Sequence, residues 1–145
     1  MKREIKFRGI PIPEFKGYAI DGFVRGYLTR RFSHNADKNQ KQIQQIYFDE
    51  EKGKEKAYVI EVDHETVGQF TGLKDKNDKE IYEGDIIRNQ VNKKYKVVFK
   101  NFSFYFIALS DNQKYNFEQY LKMLKKANVF FELIGNVYEN KELLK

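Results

Sequence analysis

The chain has no cysteine, two prolines, two histidines and no long apolar run among its 145 residues. The missing cysteines remove disulfides, thiolate metal sites and cysteine nucleophiles together, and they suit a reducing compartment. His34 and His64 have no helical His-x-x-x-His partner, so a zinc site would have to gather carboxylates from far along the chain. His64 reads more plainly as the cap of a turn. The apolar stretches span a few residues, against the roughly 20 needed to cross a bilayer, and Met-Lys-Arg-Glu has no apolar signal core behind it. The expectation is a soluble cytoplasmic protein without a membrane partner. No Gly-rich phosphate loop, Gly-x-Ser-x-Gly elbow or dinucleotide fingerprint occurs, so neither an enzyme of familiar type nor a cofactor is expected.

What is present is aromatic and charged. Thirteen Phe and ten Tyr make 16% of the chain, and flat side chains pack well on a pleated surface, which favours strands. Charged residues make 33%, and 27 basic against 21 acidic residues leave a net charge of +6. That surplus attracts polyanions weakly and equally suits a plain solubilising surface.

Along the chain, Glu4 to Arg8 alternate as a strand with Ile5 and Phe7 inward, ended by Pro11 and Pro13. Tyr18 to Phe32, punctuated by Asp21-Gly22 and Gly26, reads as a hairpin with a bulge. A polar loop follows over 33–42. Residues 43–48 and 56–62 read as antiparallel strands joined by a charged connector, although the Gln-rich start also suits a helix. Asp63 to Thr66 reads as a capped turn. Leu73 and Ile81-Tyr82 flank Lys76 to Lys79, where Asn77 and Asp78 tolerate the left-handed backbone of a tight turn. Three strands follow at 86–87, 95–99 and 102–109, with turns at Lys93-Lys94 and Asn101. Phe102, Phe104 and Phe106 fall on one face of the last and Tyr105 and Ile107 on the other, as in a strand buried on both sides. Asn116 with Gln119 forms a capping box before Phe117, Tyr120, Leu121 and Leu124, which predicts a helix over about 116–127 stopped by Asn128. A closing strand over 129–137 is broken by Gly135. The composition shift near Gln69 to Gly72 divides the chain into a β-rich unit, 1–68, and a second unit, 69–145.

Carboxylates and cations are the candidate chemistry. Asp75 to Glu80 resembles a calcium loop at first sight, but Glu80 stands where glycine belongs and Ile86 where the closing glutamate belongs. Glu80, Glu83 and Asp85 are acid/base candidates by type, yet Gly84 at a strand entry with Asp85 bonding backbone N–H groups is the simpler reading. Two basic stretches remain: Arg25, Arg30, Arg31, Lys38 and Lys41 in the first unit, and Arg88, Lys93, Lys94, Lys96 and Lys100 in the second. Tyr27, Phe32 and Tyr95 lie among them, and cations beside aromatic platforms are what single-stranded nucleic acid uses on small barrels. Alternating lysines also mark a solvated strand face that discourages edge pairing. The residues proposed for nucleic acid are Arg25, Arg30, Arg31, Arg88, Lys93, Lys94 and Lys96; none is proposed as catalytic or metal-binding.

Arg3-Glu-Ile-Lys-Phe-Arg8, Thr71-Gly-Leu-Lys-Asp-Lys-Asn-Asp-Lys-Glu-Ile-Tyr-Glu-Gly-Asp-Ile-Ile87 and Ile134-Gly-Asn-Val-Tyr-Glu-Asn140 together resemble the YopX family of phage and prophage proteins of Gram-positive bacteria. Asn77-Asp78 departs from the Asn-Gly more usual there. The resemblance implies a mainly β fold and, in the second unit, a small barrel of the Src-homology-3 type; the order of elements adds minor α content, one short helix in that unit, and packing of the barrel against the N-terminal unit. It implies a phage accessory protein and supplies no cofactor or catalytic residue. The ligand classes left open are nucleic acid, a host or phage protein bound as adaptor or inhibitor, and further copies of the chain in a homo-oligomer or self-assembling structure.

Overall fold

The computed structural model describes residues 4–32, 42–49, 57–126 and 129–145, with backbone alone at 30–32, 42–49 and 57. The expected loop at 33–42 lies almost wholly outside the described residues, as do Lys38, Lys41, His34, the 50–56 connector and Asn128. The chain divides into two compact units, the first ending at Gln69 and the second beginning at Phe70. Among the described residues no helix is long and apolar enough to cross a membrane.

The first unit is an antiparallel sheet of β1 (Phe7–Gly9), β2 (Val24–Phe32), β3 (Gln42–Asp49), β4 (Ala57–Glu61) and the start of β5 (Gly68–Lys74), in the order β4-β3-β2-β1-β5. The Gln-rich segment is therefore strand. It pairs with both β2 and β4, which settles what spacing alone left open. Val24, Ile60 and Val62 are buried together, with Phe7, Phe15, Tyr58 and Val67 packed on them. Ile5 departs from the expectation: it precedes the strand and is 58% exposed, because pairing begins only at Phe7. Pro13 opens a short 3-10 turn, Pro13–Tyr18, where its missing N–H costs nothing. Asp21-Gly22, both at positive φ, close the Ile20–Phe23 bridge as a tight hairpin. Gly26 makes no bulge and pairs in register with Phe7. The cap at 63–66 comes from Asp63, whose carboxylate accepts the Glu65 N–H, while His64 stays on the surface.

In the second unit, β5 continues into a hairpin with β6 (Glu80–Tyr82). A five-stranded antiparallel sheet is formed by β7 (Asp85–Asn89), β8 (Lys94–Lys100), β9 (Ser103–Ala108), β10 (Lys114–Asn116) and β11 (Phe131–Asn136), in the order β10-β9-β8-β7-β11. Among the described residues the fold is mainly β, with two antiparallel sheets and one short α-helix. Both sheets are open, and β10 and β11 end the second one without pairing to each other, so the expected barrel closure is not reached. The helix, α1 (Phe117–Lys125), starts at the reciprocal Asn116–Gln119 capping box and ends at Lys126. Its Tyr120 ring stacks on Phe106 at 3.6 Å and meets Phe131 at 4.6 Å, closing a core with Ile81, Ile87, Tyr95, Val97 and Phe104. Burial drives the Tyr120 hydroxyl well above its usual titration range, with the nearby Tyr95 and Asp75 adding to the shift. Ile134 is the bulged residue of β11, since Leu133 pairs with Ile87 while Gly135 pairs with Ile86.

The segment 71–87 is tied into this unit at every step. Buried Thr71 donates its hydroxyl to the Ile81 carbonyl at 2.7 Å across the hairpin. Asp78 alone takes the left-handed backbone at the turn, and Asn77 does not. The Asp75 carboxylate accepts N–H bonds from Asn77 (2.8 Å), Lys79 (2.9 Å) and Leu133 (3.0 Å), and the Lys76 N–H bonds the Phe131 carbonyl. The hairpin turn thus occupies part of the open edge of β11, a common way to keep an edge strand from pairing elsewhere. Gly84 sits at φ +88°, and a Cβ there would lie 2.9 Å from the Tyr138 ring. The Asp85 carboxylate accepts the Tyr82 N–H at 2.8 Å, which fixes the entry into β7.

Candidate nucleic-acid interface

Register decides which cations share a face. Core-facing residues of the second sheet run Ile87–Tyr95–Ala108 and Val97–Phe106–Tyr115 across the strands, beneath α1. The residues between them form the opposite face. Arg88 lies directly across from Lys94, and Ile86, Lys96, Ile107 and Lys114 form one row across β7, β8, β9 and β10, in which Ile86 is fully buried. Val98, Tyr105 and Asn116 form the next row, and Lys100 pairs with Ser103 at the hairpin end. Arg88, Lys100 and Lys114 are exposed, while Lys94, Lys96, Tyr105 and Ile107 are half-buried. Along β8 the lysines recur at multiples of about 7 Å, twice the residue rise.

The sole acid on these rows is Glu132 of β11, opposite Arg88. It takes Arg88 at 2.8 Å and Lys76 at 3.2 Å, and those two cations hold its carboxyl below the ordinary glutamate value. Among the described residues, Lys94, Lys96, Lys100 and Lys114 make no ion pair. Like charges set opposite one another destabilise a sheet, and Glu132 offsets the Arg88 charge beside Lys94.

Lys93 is not part of this face. The β7–β8 connection turns at Gln90 to Asn92, with the Asn89 side chain accepting the N–H groups of Val91 and Lys93. The expected turn at Lys93-Lys94 is therefore displaced, because Asn89 and the left-handed Asn92 supply it. Lys93 bonds Asp111 at 3.2 Å, and its ammonium lies 5.9 and 5.8 Å from the Tyr95 and Tyr115 rings. The Asp111 bond raises the Lys93 pKa against the smaller opposing effect of burial. Neighbours in sequence, Lys93 and Lys94 thus stand on opposite faces.

The remaining proposed cations belong to the first unit. Arg25, on β2, donates to the Ile20 carbonyl at 3.1 Å. Arg30 and Arg31 lie in β2, and their side chains are outside what the structure describes. Three contributors to the basic face were not among the residues proposed from sequence: Lys100, Lys114 and Tyr105. β10 is a three-residue strand with no apolar alternation of its own, so Lys114 gave no signal, and Tyr105 read as core. The carboxylate candidates do not gather into one bare cluster: Glu80 accepts the Tyr82 hydroxyl at 2.8 Å, and Asp85 is spent on the Tyr82 N–H. Among the described residues no group of three or more histidines and carboxylates is placed to hold a metal ion.

Comparison with known proteins places the chain in a family. The family described as YopX protein matches residues 28–145. The crystal structure of protein EF1440 from Enterococcus faecalis is similar over 99% of this chain and 100% of its own, at 21% identity and a TM-score of 0.55, a likeness of fold. No curated protein matches the chain.

Proposed function

The chain belongs to the YopX family, and we propose that it works as a non-enzymatic binding module whose ligand is nucleic acid, in the cytoplasm of a phage-carrying bacterium. One observation carries the reading: Lys94, Lys96, Lys100 and Lys114, with Arg88, share one sheet face on which Glu132 is the single acid among the described strand residues. Phosphates would be met by the lysines, and the half-buried Tyr105 ring on the same face offers a platform for a base.

The test is fluorescence anisotropy with labelled single- and double-stranded oligonucleotides at low salt. Binding that weakens with salt, and that falls when Lys94, Lys96, Lys100 and Lys114 are changed to Ala together, supports the reading. Absence of binding, or affinity unchanged in that variant, refutes it.

A second reading, an adaptor or inhibitor that engages a host protein or a second copy of the chain, draws on the first unit. Tyr27 and Val59, both aligned with Tyr47 of β3, are 59% and 46% exposed. Light scattering of the purified chain and affinity capture from host lysate test it. A monomer that captures no stoichiometric partner sinks it.

A further inference from the structure

The turn between β8 and β9 consists of two residues, Asn101 and Phe102, and both have left-handed backbones, with φ of 51° and 61°. Two positive φ values in a two-residue hairpin make a type I′ turn, for which Asn-Gly is the favoured pair. Asparagine is where it should be. Phenylalanine occupies the glycine position, where a Cβ is strained and a bulky ring is rare. Nothing in the fold uses that ring, which is 98% exposed, the most exposed of the large apolar side chains described. A residue that costs the turn stability and the surface an exposed ring points to a role outside the fold.

The stem that carries it is firm. Phe99 and Phe104, flanking the tip, pack ring on ring at 4.8 Å, and Phe104 in turn meets Phe117 of α1 at 6.2 Å. Lys100, the last residue of β8, is exposed beside the turn and belongs to the basic face. The other exposed large apolar side chains of the second unit, Val91, Phe130 and Leu144, lie elsewhere in the chain, Val91 in the turn at the opposite end of β8. A lone ring is a small anchor for a bilayer or a protein core. It is a full partner for one unpaired base, whose flat face stacks on any aromatic ring, and lysine beside it supplies the phosphate contact.

We propose that Phe102 is a base-stacking tip, and that the nucleic acid engaged by this protein is single-stranded at the point where it meets the β8–β9 hairpin. The proposal rests on the reading of the basic face as a nucleic-acid interface. Stacking needs an unpaired base, so the tip favours single strands, while the lysines contact the phosphates of either form.

The test compares Phe102→Gly, Phe102→Trp and the fourfold lysine variant in anisotropy titrations with single- and double-stranded oligonucleotides of one length. Phe102→Gly restores the preferred turn pair, so its thermal midpoint should stay level or rise by up to about 8 °C, the shift from relieving one left-handed non-glycine residue. Its single-strand affinity should fall about 5- to 150-fold, the span of one base–aromatic stack, with duplex affinity and salt slope unchanged. Phe102→Trp introduces the chain's first tryptophan, and its fluorescence should be quenched by single strands on stacking. Wild-type protein that binds single strands as tightly as Phe102→Gly, with no tryptophan quenching, overturns the stacking tip and leaves the basic face standing. Wild-type protein that binds no oligonucleotide overturns both. If Phe102→Gly abolishes binding to anionic phosphatidylglycerol vesicles while its oligonucleotide affinity is unchanged, the tip belongs to a membrane surface and the proposal fails.

Discussion

Replacing Asp75 should unfasten the hairpin turn from the edge of β11. Its carboxylate receives three backbone N–H groups at 2.8–3.0 Å. Hydrogen bonds to a charged group contribute about 1.5–3 kcal/mol each. Asn77 and Lys79 belong to exposed turn residues whose N–H groups can turn to water, whereas the Leu133 N–H sits within a strand, so its bond counts nearly in full. We expect Asp75→Ala to cost about 2–4 kcal/mol, or roughly 4–16 °C in thermal midpoint for a chain of this size. Asp75→Asn sharpens the test, because one amide oxygen can keep the turn bonds while its NH2 faces the Leu133 N–H. Burial alone would raise the Asp75 carboxyl, but the N–H donors of Leu133, Lys79 and Asn77, with the Lys79 charge, outweigh it and hold it below its ordinary value of 3.8. A carboxyl lowered in the folded state gives stabilisation that is complete above its unfolded value and is lost as pH falls through the folded one. The stability gap between wild type and Asp75→Asn, read by urea denaturation followed by circular dichroism, should therefore be flat from neutrality down to about pH 4 and narrow below it. An Asp75→Ala unfolding free energy within about 0.5 kcal/mol of wild type, the range of ordinary surface changes, would refute the reasoning.

Gly84→Ala should cost about 2–5 kcal/mol in urea, combining a left-handed alanine with a Cβ 2.9 Å from the Tyr138 ring; a neutral result contradicts the packing there. Asn116→Ala should lower stability by about 1 kcal/mol by removing one half of the capping box, and far-ultraviolet dichroism would register the shortened helix. Glu132→Gln releases Arg88 on the basic face and Lys76 of the adjoining hairpin turn, so oligonucleotide affinity should rise and its salt dependence steepen. Unchanged binding in that variant would place Arg88 outside the interface.

Most of the second unit was legible because its signals are local. The capping box at Asn116 and the period-two apolar residues of β8 and β9 each decide their own element. Phe102 shows where that reading fails: it continues the alternation of Phe104 and Phe106, and only the pairing of Lys100 with Ser103 puts it in the turn. Lys93 and Lys94 fail for the same reason, since one residue's shift in the turn exchanges the two faces of a strand. β10 was invisible because three residues carry no period, and with it went Lys114. Asp75 sits in a segment that resembles a calcium loop only at first sight, and its bond to Leu133 joins residues far apart in sequence and has no local signature. The segment 71–87, the most diagnostic in the chain, is scaffold, and the cations of the candidate interface lie beside it.

The slope of log affinity against log salt for a single-stranded oligonucleotide tests the nucleic-acid reading most directly. Four lysines neutralising four phosphates give a slope of about −3, from roughly −0.7 per contact on single strands. We expect that slope for wild type and one near zero when Lys94, Lys96, Lys100 and Lys114 are all changed to Ala, with the fold intact by circular dichroism. Equal slopes in the two proteins, or no binding at low salt, would contradict it.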